Sequence, residues 1–586
     1  MPPHNLGQHR FHFDSRWAKN SEARQAFADK WGSQTSGTRQ FKFFNDLKSS
    51  RHDLVEWMKK GTSNSARKIK ELRLEIDTAR NAPSVDWEVI KGLEKALSSS
   101  YLQEEIYWKQ KSRVKYLQEG ESNTHFFHTI TNQKRRMRTI LYLKDDNGLV
   151  HLEEGAKANV AVTYFMGLFL SNQPLVHDFI LSLGLQKKVN DYINTCLSAT
   201  VTRKEIKDAT FSIGSYQSPG IDGFTGIFFQ AFWDVVGESL CDAAISFFHT
   251  GRLLHNFNHT LITLIPKTPN AETMKQMRPI GLCQVFYKII AKILADRLSC
   301  FLPLIVGPNQ NGFVKDRSIT DNILIGQEVM QFLKTKTQGK EKWMALKLDM
   351  EKAYDRVEWP LLFELLKGLG FGDKWLKWLR SCVTTVSFSI VLNGSIHGYF
   401  HPQRGLRQGD PLSPLLFALY TEAFSSLIEN SIRNSSLHGL RIHRQAPLIS
   451  HLFFADDSYL FLRASSTECA RLIEILHEYE VVSGQRVNLQ KSAVTFSANV
   501  LDSEATRLAG LLGVSTIGVH DRYLGLPSQV HRSKIQTFRY IEDSLATIIR
   551  HWKSKNMSLA AKEVVIKAVG TTTPIFAMSC FRLTSD

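Results

Sequence analysis

A chain of 586 residues with 43% hydrophobic content is long enough for several domains with large buried cores and has the composition of a globular protein. Its 73 Lys and Arg against 56 Asp and Glu give a formal charge of +17 and a pI near 9.4. That balance favours a polyanionic partner such as nucleic acid over an acidic small substrate, although charge alone does not separate nucleic acid from an anionic membrane surface. There is no apolar run of the roughly 18 residues a membrane span needs, and the opening MPPHNLGQHRFHF lacks the apolar core of a signal peptide, so neither a span nor secretion is expected. Seven Cys are scattered singly with no C-x-x-C pair, which gives no readable zinc site or disulfide framework and points to a reducing compartment.

In residues 1–150, 27 Lys and Arg stand against 18 Asp and Glu, so this zone holds more than half of the excess charge. Two helical periodicities lie here, one through Ile69, Leu72 and Ile76 and the other through Ile90, Leu93, Leu97 and Tyr101. Asn81, Ala82 and Pro83 break them apart, which predicts a helical hairpin. Beyond it, Lys109, Lys111, Arg113, Lys115, Lys134, Arg135, Arg136 and Arg138 interleave with Tyr107, Trp108, Phe126 and Phe127. Cations neutralise phosphates while rings stack on bases, so the mixture suits single-stranded nucleic acid. A solvated basic face above an unrelated aromatic core is the other reading of the same residues.

From about residue 200 onward, short apolar strands alternate with amphipathic helices. FYKIIAKILADRLSCFL predicts a helix burying Ile289, Ile290, Ile293, Leu294 and Leu298. VSFSIVLNGSIHGYF predicts a hairpin turning at Asn393 and Gly394. RGLRQGDPLSPLLFALYTEAFSSLIEN is a Gly-rich loop running into a helix, with Asp410 or Ser413 as cap and Pro411 or Pro414 in the first turn. From about residue 526 the chain reads as helices rich in Lys and Arg. The mixture of antiparallel hairpins and segregated helices is α+β.

ALKLDMEKAYDRVEW predicts an apolar strand through Ala345, Leu346 and Leu348 that ends at Asp349, and HLFFADDSYLFL predicts a hairpin with Asp456 and Asp457 at its tip. Adjacent acids at a hairpin tip are also good turn residues. Set beside an acid at the end of a central strand, however, they give three carboxylates converging on one sheet edge. Such a site can hold two Mg²⁺ about 3.5 to 4 Å apart, one activating an attacking hydroxyl and the other stabilising a leaving oxygen.

FFADD and KLDMEKAYDRV resemble the catalytic motifs of reverse transcriptases of the non-LTR, LINE type. SPGIDGF, LIPK, RPIGLC, YKIIAKILADRL, DNILIGQE, GLRQGDPLSP, GQRVNLQKS and YLGLP follow the family's order, and YLQEGESNTHFFH and HWKSKNMSLAAKEVVIKAV resemble flanks of plant elements of this type. Gln217, Ile221 and Glu121 depart from the usual Lys, Pro and Asp of the family's segments.

The resemblance implies a right-hand polymerase: a helical basic N-terminal extension over 1–200, fingers and palm over 201–525 and a helical thumb over 526–586. It implies an RNA-directed DNA polymerase that extends a DNA primer on an RNA template with deoxynucleotides, using two Mg²⁺, or Mn²⁺, on Asp349, Asp456 and Asp457. Tyr354 would exclude the 2′-hydroxyl of an incoming ribonucleotide. Arg278 would grip the triphosphate with Lys267 assisting, Gln408 and Gly409 would lie beside the incoming nucleotide, and Lys491 would protonate or neutralise the departing pyrophosphate. Trp108, Lys109, Lys134, Arg135, Arg136 and Arg138 would hold nucleic acid, while Asp355 and Asp410 read as structural acids. The endonuclease of such elements is expected from another protein, no membrane is involved, and the location is nuclear or cytoplasmic, nuclear if synthesis is target-primed. A decayed or domesticated fragment that only binds RNA is the alternative function; a group II intron maturase shares the chemistry but matches the flanks less well.

Overall fold

The computed structural model describes residues 10–29, 31–32, 36–60, 65–112, 131–134, 136–518, 522–529, 533–553, 562–563 and 566–583. The helical hairpin forms as expected. Helix α1 (Arg39–Lys60) precedes it, and α2 (Ser65–Arg80) and α3 (Trp87–Ser112) pack along each other with Ile69, Leu72, Ile76 and Ile90 buried between them. The break falls at the Asn81 turn, because Pro83 cannot continue the helix.

The aromatic residues of the first 60 positions do not form a core of their own. Phe13 meets Phe228 edge-on at 5.2 Å, Phe27 meets Phe232 at 4.8 Å, and Phe43 packs on Phe286 at 5.3 Å. The backbone joins there too: Phe13 N donates to the Gly223 carbonyl at 3.0 Å, and the Arg10 guanidinium donates to the Pro219 carbonyl at 2.8 Å. Such aromatic pairs bury large areas. The N-terminal region is therefore built against the SPGIDGF segment and the helices that succeed it. Helix α4 (Glu154–Leu168) caps a separate, smaller core, and α5 (Trp233–Thr250) packs on α1.

Next in the chain is a four-stranded sheet made of β1 (His259–Pro266), β2 (Met277–Leu282) and two later strands. Beyond it come α6 (Val285–Ile305), α7 (Ile319–Thr335) and β3 (Trp343–Leu348). Strands β4 (Ser387–Leu392) and β5 (Ser395–Phe400) complete the sheet in the order β2-β1-β4-β5, with β1 parallel to β4 and the other pairs antiparallel. Asn393 and Gly394 take φ values of 47° and 96°, the left-handed pair that a two-residue hairpin needs. All five apolar residues anticipated for the α6 face are buried.

The GLRQGDPLSP loop leads into α8 (Ser413–Tyr420), whose first turn carries Pro414, while Asp410 Oδ1 accepts from Leu412 N at 2.9 Å just ahead of it. Strands β6 (His451–Phe454) and β7 (Asp457–Arg463), helix α9 (Ser466–Ser483), and strands β8 (Ala493–Phe496) and β9 (Thr516–Ile517) finish a five-stranded sheet in the order β9-β8-β3-β7-β6. Strand β3 is central, antiparallel to β8 and β7, and buried at every residue except Lys347, which is half-buried. Its period of two divides the cores. Met344, Leu346 and Leu348 face the large core with α6, while Trp343 and Ala345 join Tyr459, Phe461 and Tyr523 on the other side. Helix α10 (Lys534–Lys553) covers that second core through Phe538 and Ile541.

The chain is thus a mixed α and β protein. All seven cysteines are free thiols. Among the described residues no helix is long and apolar enough to cross a membrane.

Candidate active site

Strand register brings the three acids together. Leu348 pairs with Ser458 across β3 and β7, so Asp349, one residue past the strand, comes level with Asp457. Phe454 pairs with Asp457, which leaves Ala455 and Asp456 as the two-residue turn: Asp456 is the tip, and Asp457 already belongs to the returning strand. The GQRVNLQKS segment fixes Asp349 from its other side. Asn488 N donates to the Asp349 carbonyl at 2.7 Å, Asp349 N donates to Ser492 Oγ at 3.3 Å, and Lys491 Nζ stands 4.0 Å from the Asp349 carboxylate.

The carboxylates share one electrostatic field. Asp456 is exposed yet surrounded by enough protein that desolvation raises its carboxyl; the Asp349 charge raises it further, and Arg278 and Lys267 oppose the shift. Desolvation also raises Asp457, with Asp456 and Asp349 adding to it and Lys347 opposing. Asp349 and Asp456 therefore face the cations of the four-stranded sheet, while Asp457 shares its surroundings with Lys347. Hard carboxylate oxygens that repel one another are a donor set suited to a divalent cation, which relieves the repulsion. Among the described residues, no three His, Cys, Asp or Glu side chains are closed up as a metal-ligand cluster, so the acids converge without clamping a point between them.

The cations come from strand ends. Ile265 pairs with Arg278, and Lys267 N donates to the Gln276 carbonyl at 2.9 Å, so Lys267 and Arg278 emerge on neighbouring strands with exposed side chains. Lys267 is lowered from the ordinary lysine range by desolvation and by the nearby Lys491 and Arg278 charges. One residue not singled out from the sequence joins them. Lys352, at φ 53°, sends its ammonium to the Met277 carbonyl at 2.7 Å and ties the turn after Asp349 to β2; burial lowers it to about 8.

Tyr354 sits in a short helical turn (Ala353–Arg356), half-buried, with its ring stacked on Phe417 of α8. Burial and then the Asp456 charge raise its hydroxyl above the usual range, which puts the ring close to the hairpin tip. Gln408 is held by its backbone, since Gly281 N donates to its carbonyl at 2.7 Å. Gly409 takes φ 110°, and a Cβ there would lie 2.9 Å from the Gly281 carbonyl oxygen, so the loop can approach β2 this closely only as glycine. The neighbouring Arg407 is buried on the Tyr287 ring and bonds Asn258 Oδ1 at 2.6 Å; Tyr287 in turn donates to Asp410 Oδ2 at 2.6 Å. Asp410 is thus a loop anchor. Asp355 is buried beneath Gln408, whose amide reaches its Oδ1 at 3.5 Å.

The N-terminal candidates lie elsewhere. Trp108 donates to Glu104 at 2.8 Å, Lys109 pairs with Glu105, and Lys134 donates to the Ser112 carbonyl at 2.9 Å. Arg136 and Arg138 are exposed; Arg135, like Arg113, Lys115, Phe126 and Phe127, lies outside the described residues.

Residues 265–540 match the family described as reverse transcriptase (RNA-dependent DNA polymerase), a stretch that includes Asp349, Asp456 and Asp457. The chain is 26% identical over 482 residues to an uncharacterized 149 kDa protein of transposon TX1 from Xenopus laevis, covering 81% of this chain and 36% of that protein. It is 26% identical over 263 residues to the Pol polyprotein of the type-2 retrotransposable element R2DM of Drosophila melanogaster, covering 45% of this chain and 23% of that protein. A stretch of 68 residues, 12% of the chain, is 48% identical to an uncharacterized mitochondrial protein of Arabidopsis thaliana and covers 56% of it. The chain spans about a third or less of the length of the two transposon relatives.

Proposed function

We propose that this protein is the RNA-directed DNA polymerase of a LINE-type retrotransposon, extending a DNA primer on an RNA template with deoxynucleoside triphosphates. The reading rests on one meeting: Asp349, the turn residue Asp456 and Asp457 at the start of β7 share one end of the sheet, with Lys491 beside Asp349 and with Lys267 and Arg278 facing Asp456. The five-stranded sheet with α6 is the palm, the four-stranded sheet the fingers, α10 and the remaining C-terminal residues the thumb, and residues 1–200 the basic extension. A plant-type element is part of the proposal, which here rests on the resemblance of the flanks YLQEGESNTHFFH and HWKSKNMSLAAKEVVIKAV to those of plant elements.

Two Mg²⁺, or Mn²⁺, on Asp349, Asp456 and Asp457 would lower the pKa of the primer 3′-hydroxyl and neutralise charge on the leaving oxygen. The chain's own groups do the rest. Arg278 and Lys267 hold the triphosphate, so that the α-phosphorus faces the hydroxyl in line. Tyr354, backed by Phe417, forms the floor under the sugar and leaves no room for a 2′-hydroxyl. Gln408 lies beside the new base pair. As the bond to the pyrophosphate breaks, Lys491 donates a proton or neutralises its charge. Arg136 and Arg138 hold template phosphates.

The test is primer extension on an RNA template with Mg²⁺ and the four deoxynucleotides. Full-length DNA product is expected; RNA binding without extension under Mg²⁺ or Mn²⁺ would replace this reading with the RNA-binding one.

A further inference from the structure

The hairpin tip is held from behind by a segment that the proposed chemistry does not use. Residues 309–312 run beside β6: Phe453 N donates to the Asn309 carbonyl at 2.7 Å, and Asn311 N donates to the Phe453 carbonyl at 3.0 Å. Between those bonds the Gln310 side chain, 1% exposed, reaches the turn itself. Its Oε1 accepts from Ala455 N at 3.0 Å and from Gly312 N at 2.8 Å. Its Nε2 donates to Thr421 Oγ1 at 3.0 Å and to the Ala455 carbonyl at 3.4 Å. Both atoms of one buried amide are thereby engaged, on both sides of the Ala455 residue. A Cβ on Gly312 would run into the Ala455 nitrogen, so the segment can lie this close only as glycine.

The turn needs such a hold for two reasons. Ala455 takes φ 56° without being glycine, a left-handed conformation that is strained for an L-residue and that rotation of the adjoining peptide would relieve. Asp456, next in the chain, stands at the turn beside Asp457, which comes level with Asp349, and like charges gathered at one end of a sheet push the tip away from it. Rotation of the Ala455 peptide would re-aim Asp456 away from Asp349. Asn322, fully buried, adds a second hold by donating to the same Phe453 carbonyl at 3.0 Å.

We propose that Gln310 is a positioning residue: its side-chain amide sets the Ala455 turn and so keeps Asp456 and Asp457 opposed to Asp349. The role in synthesis rests on the polymerase reading; the conformational role does not.

The test compares the full chain with Gln310→Met, which keeps volume but removes both polar atoms, and Gln310→Glu, which keeps an acceptor facing the two amides. Amide exchange is followed by mass spectrometry in peptides covering 450–458 and in peptides from α6, and primer extension is measured in parallel. In Gln310→Met, exchange at the tip should quicken about tenfold or more while α6 exchanges as in the parent. Extension should slow about tenfold with the KM for deoxynucleotide changed less than about twofold, and Gln310→Glu should recover most of the tip protection. Unchanged exchange at the tip, or exchange rising equally at the tip and in α6, would overturn the proposal, the second because it marks a general loss of stability. If the parent itself extends no primer, the polymerase reading falls, and tip exchange still decides the role of Gln310 in the turn.

Discussion

Tyr354 and Phe417 lie face to face, with ring centroids 4.6 Å apart and 12° between their planes. Leu406 N donates to the Tyr354 carbonyl at 2.7 Å, so ring and backbone are fixed from the α8 side and the hydroxyl is left toward Asp456. A ring that excludes a 2′-hydroxyl by contact must be unable to yield, and the stack supplies that rigidity. Tyr354→Ala is therefore expected to lower discrimination against ribonucleotides by about 10- to 100-fold, and Phe417→Ala to lower it by less. Single-nucleotide incorporation, read as the ratio of kcat/KM for deoxy and ribo substrates, checks this; equal ratios in parent and Tyr354→Ala would refute the gate.

Much of this site is local in the sequence, and that is why it could be read there. The turn at Asn393 and Gly394, the apolar face of α6 and the strand leading to Asp349 each depend on residues within one element, where period and turn chemistry act. Asp456 and Asp457 were legible as a pair, whereas the division of labour between them was not, because it depends on which of the two begins β7. Gln310 gave no signal: a polar residue in a loop acquires meaning only from Ala455, 145 positions later. The docking of Phe13 and Phe27 on Phe228 and Phe232 is equally non-local, since an aromatic side chain does not name its partner. Lys352 was hidden for a third reason. Its ammonium bonds a backbone carbonyl, that of Met277, which no residue type advertises.

Asp456 faces Asp349, Arg278 and Lys267, whereas Asp457 shares its field with Lys347. Asp456→Asn is thus expected to slow extension by roughly a thousandfold, on the order of 4 kcal/mol, and Asp457→Asn by less. Both substitutions preserve the shape of the hairpin and remove like-charge repulsion, so melting temperatures should not fall. Equal extension rates for Asp456→Asn and the parent would remove this carboxylate from the chemistry.

Asp355 gives a pH dependence with a definite sign. It is buried, one carboxylate oxygen has no partner, and desolvation raises it to about 7 in the folded chain, with Lys352 and Lys267 opposing the shift. A raised carboxyl favours folding fully below its unfolded pKa, near 4, and that contribution is lost as pH climbs through the folded value. Between about pH 4 and 7 the parent should forfeit on the order of 4 kcal/mol from this group. Asp355→Asn, which cannot ionise, should gain melting temperature relative to the parent at pH 8 and little or nothing at pH 5. A difference between the two proteins that does not change with pH would show that Asp355 is ionised throughout.

The basic zone from the last turn of α3 onward separates into tied and exposed cations, and salt dependence distinguishes them. Lys134 already donates to the Ser112 carbonyl, and Lys109 is paired with Glu105, so each must give up a partner to meet a phosphate. Arg136 and Arg138 are exposed and, among the described residues, have no such partner to give up. Each phosphate contact to a single strand contributes about 0.7 to the slope of log affinity against log salt. Arg136→Gln combined with Arg138→Gln is therefore expected to reduce the slope for RNA binding by about 1.4, whereas Lys134→Gln should change it by less and act mainly on stability. The loss of affinity should be similar across RNA sequences, because phosphate contacts position a strand without reading its bases. Filter binding between about 50 and 200 mM salt on two unrelated RNAs measures both quantities. A slope unchanged in the double variant would return Arg136 and Arg138 to a solvated face, with the template held elsewhere in the chain.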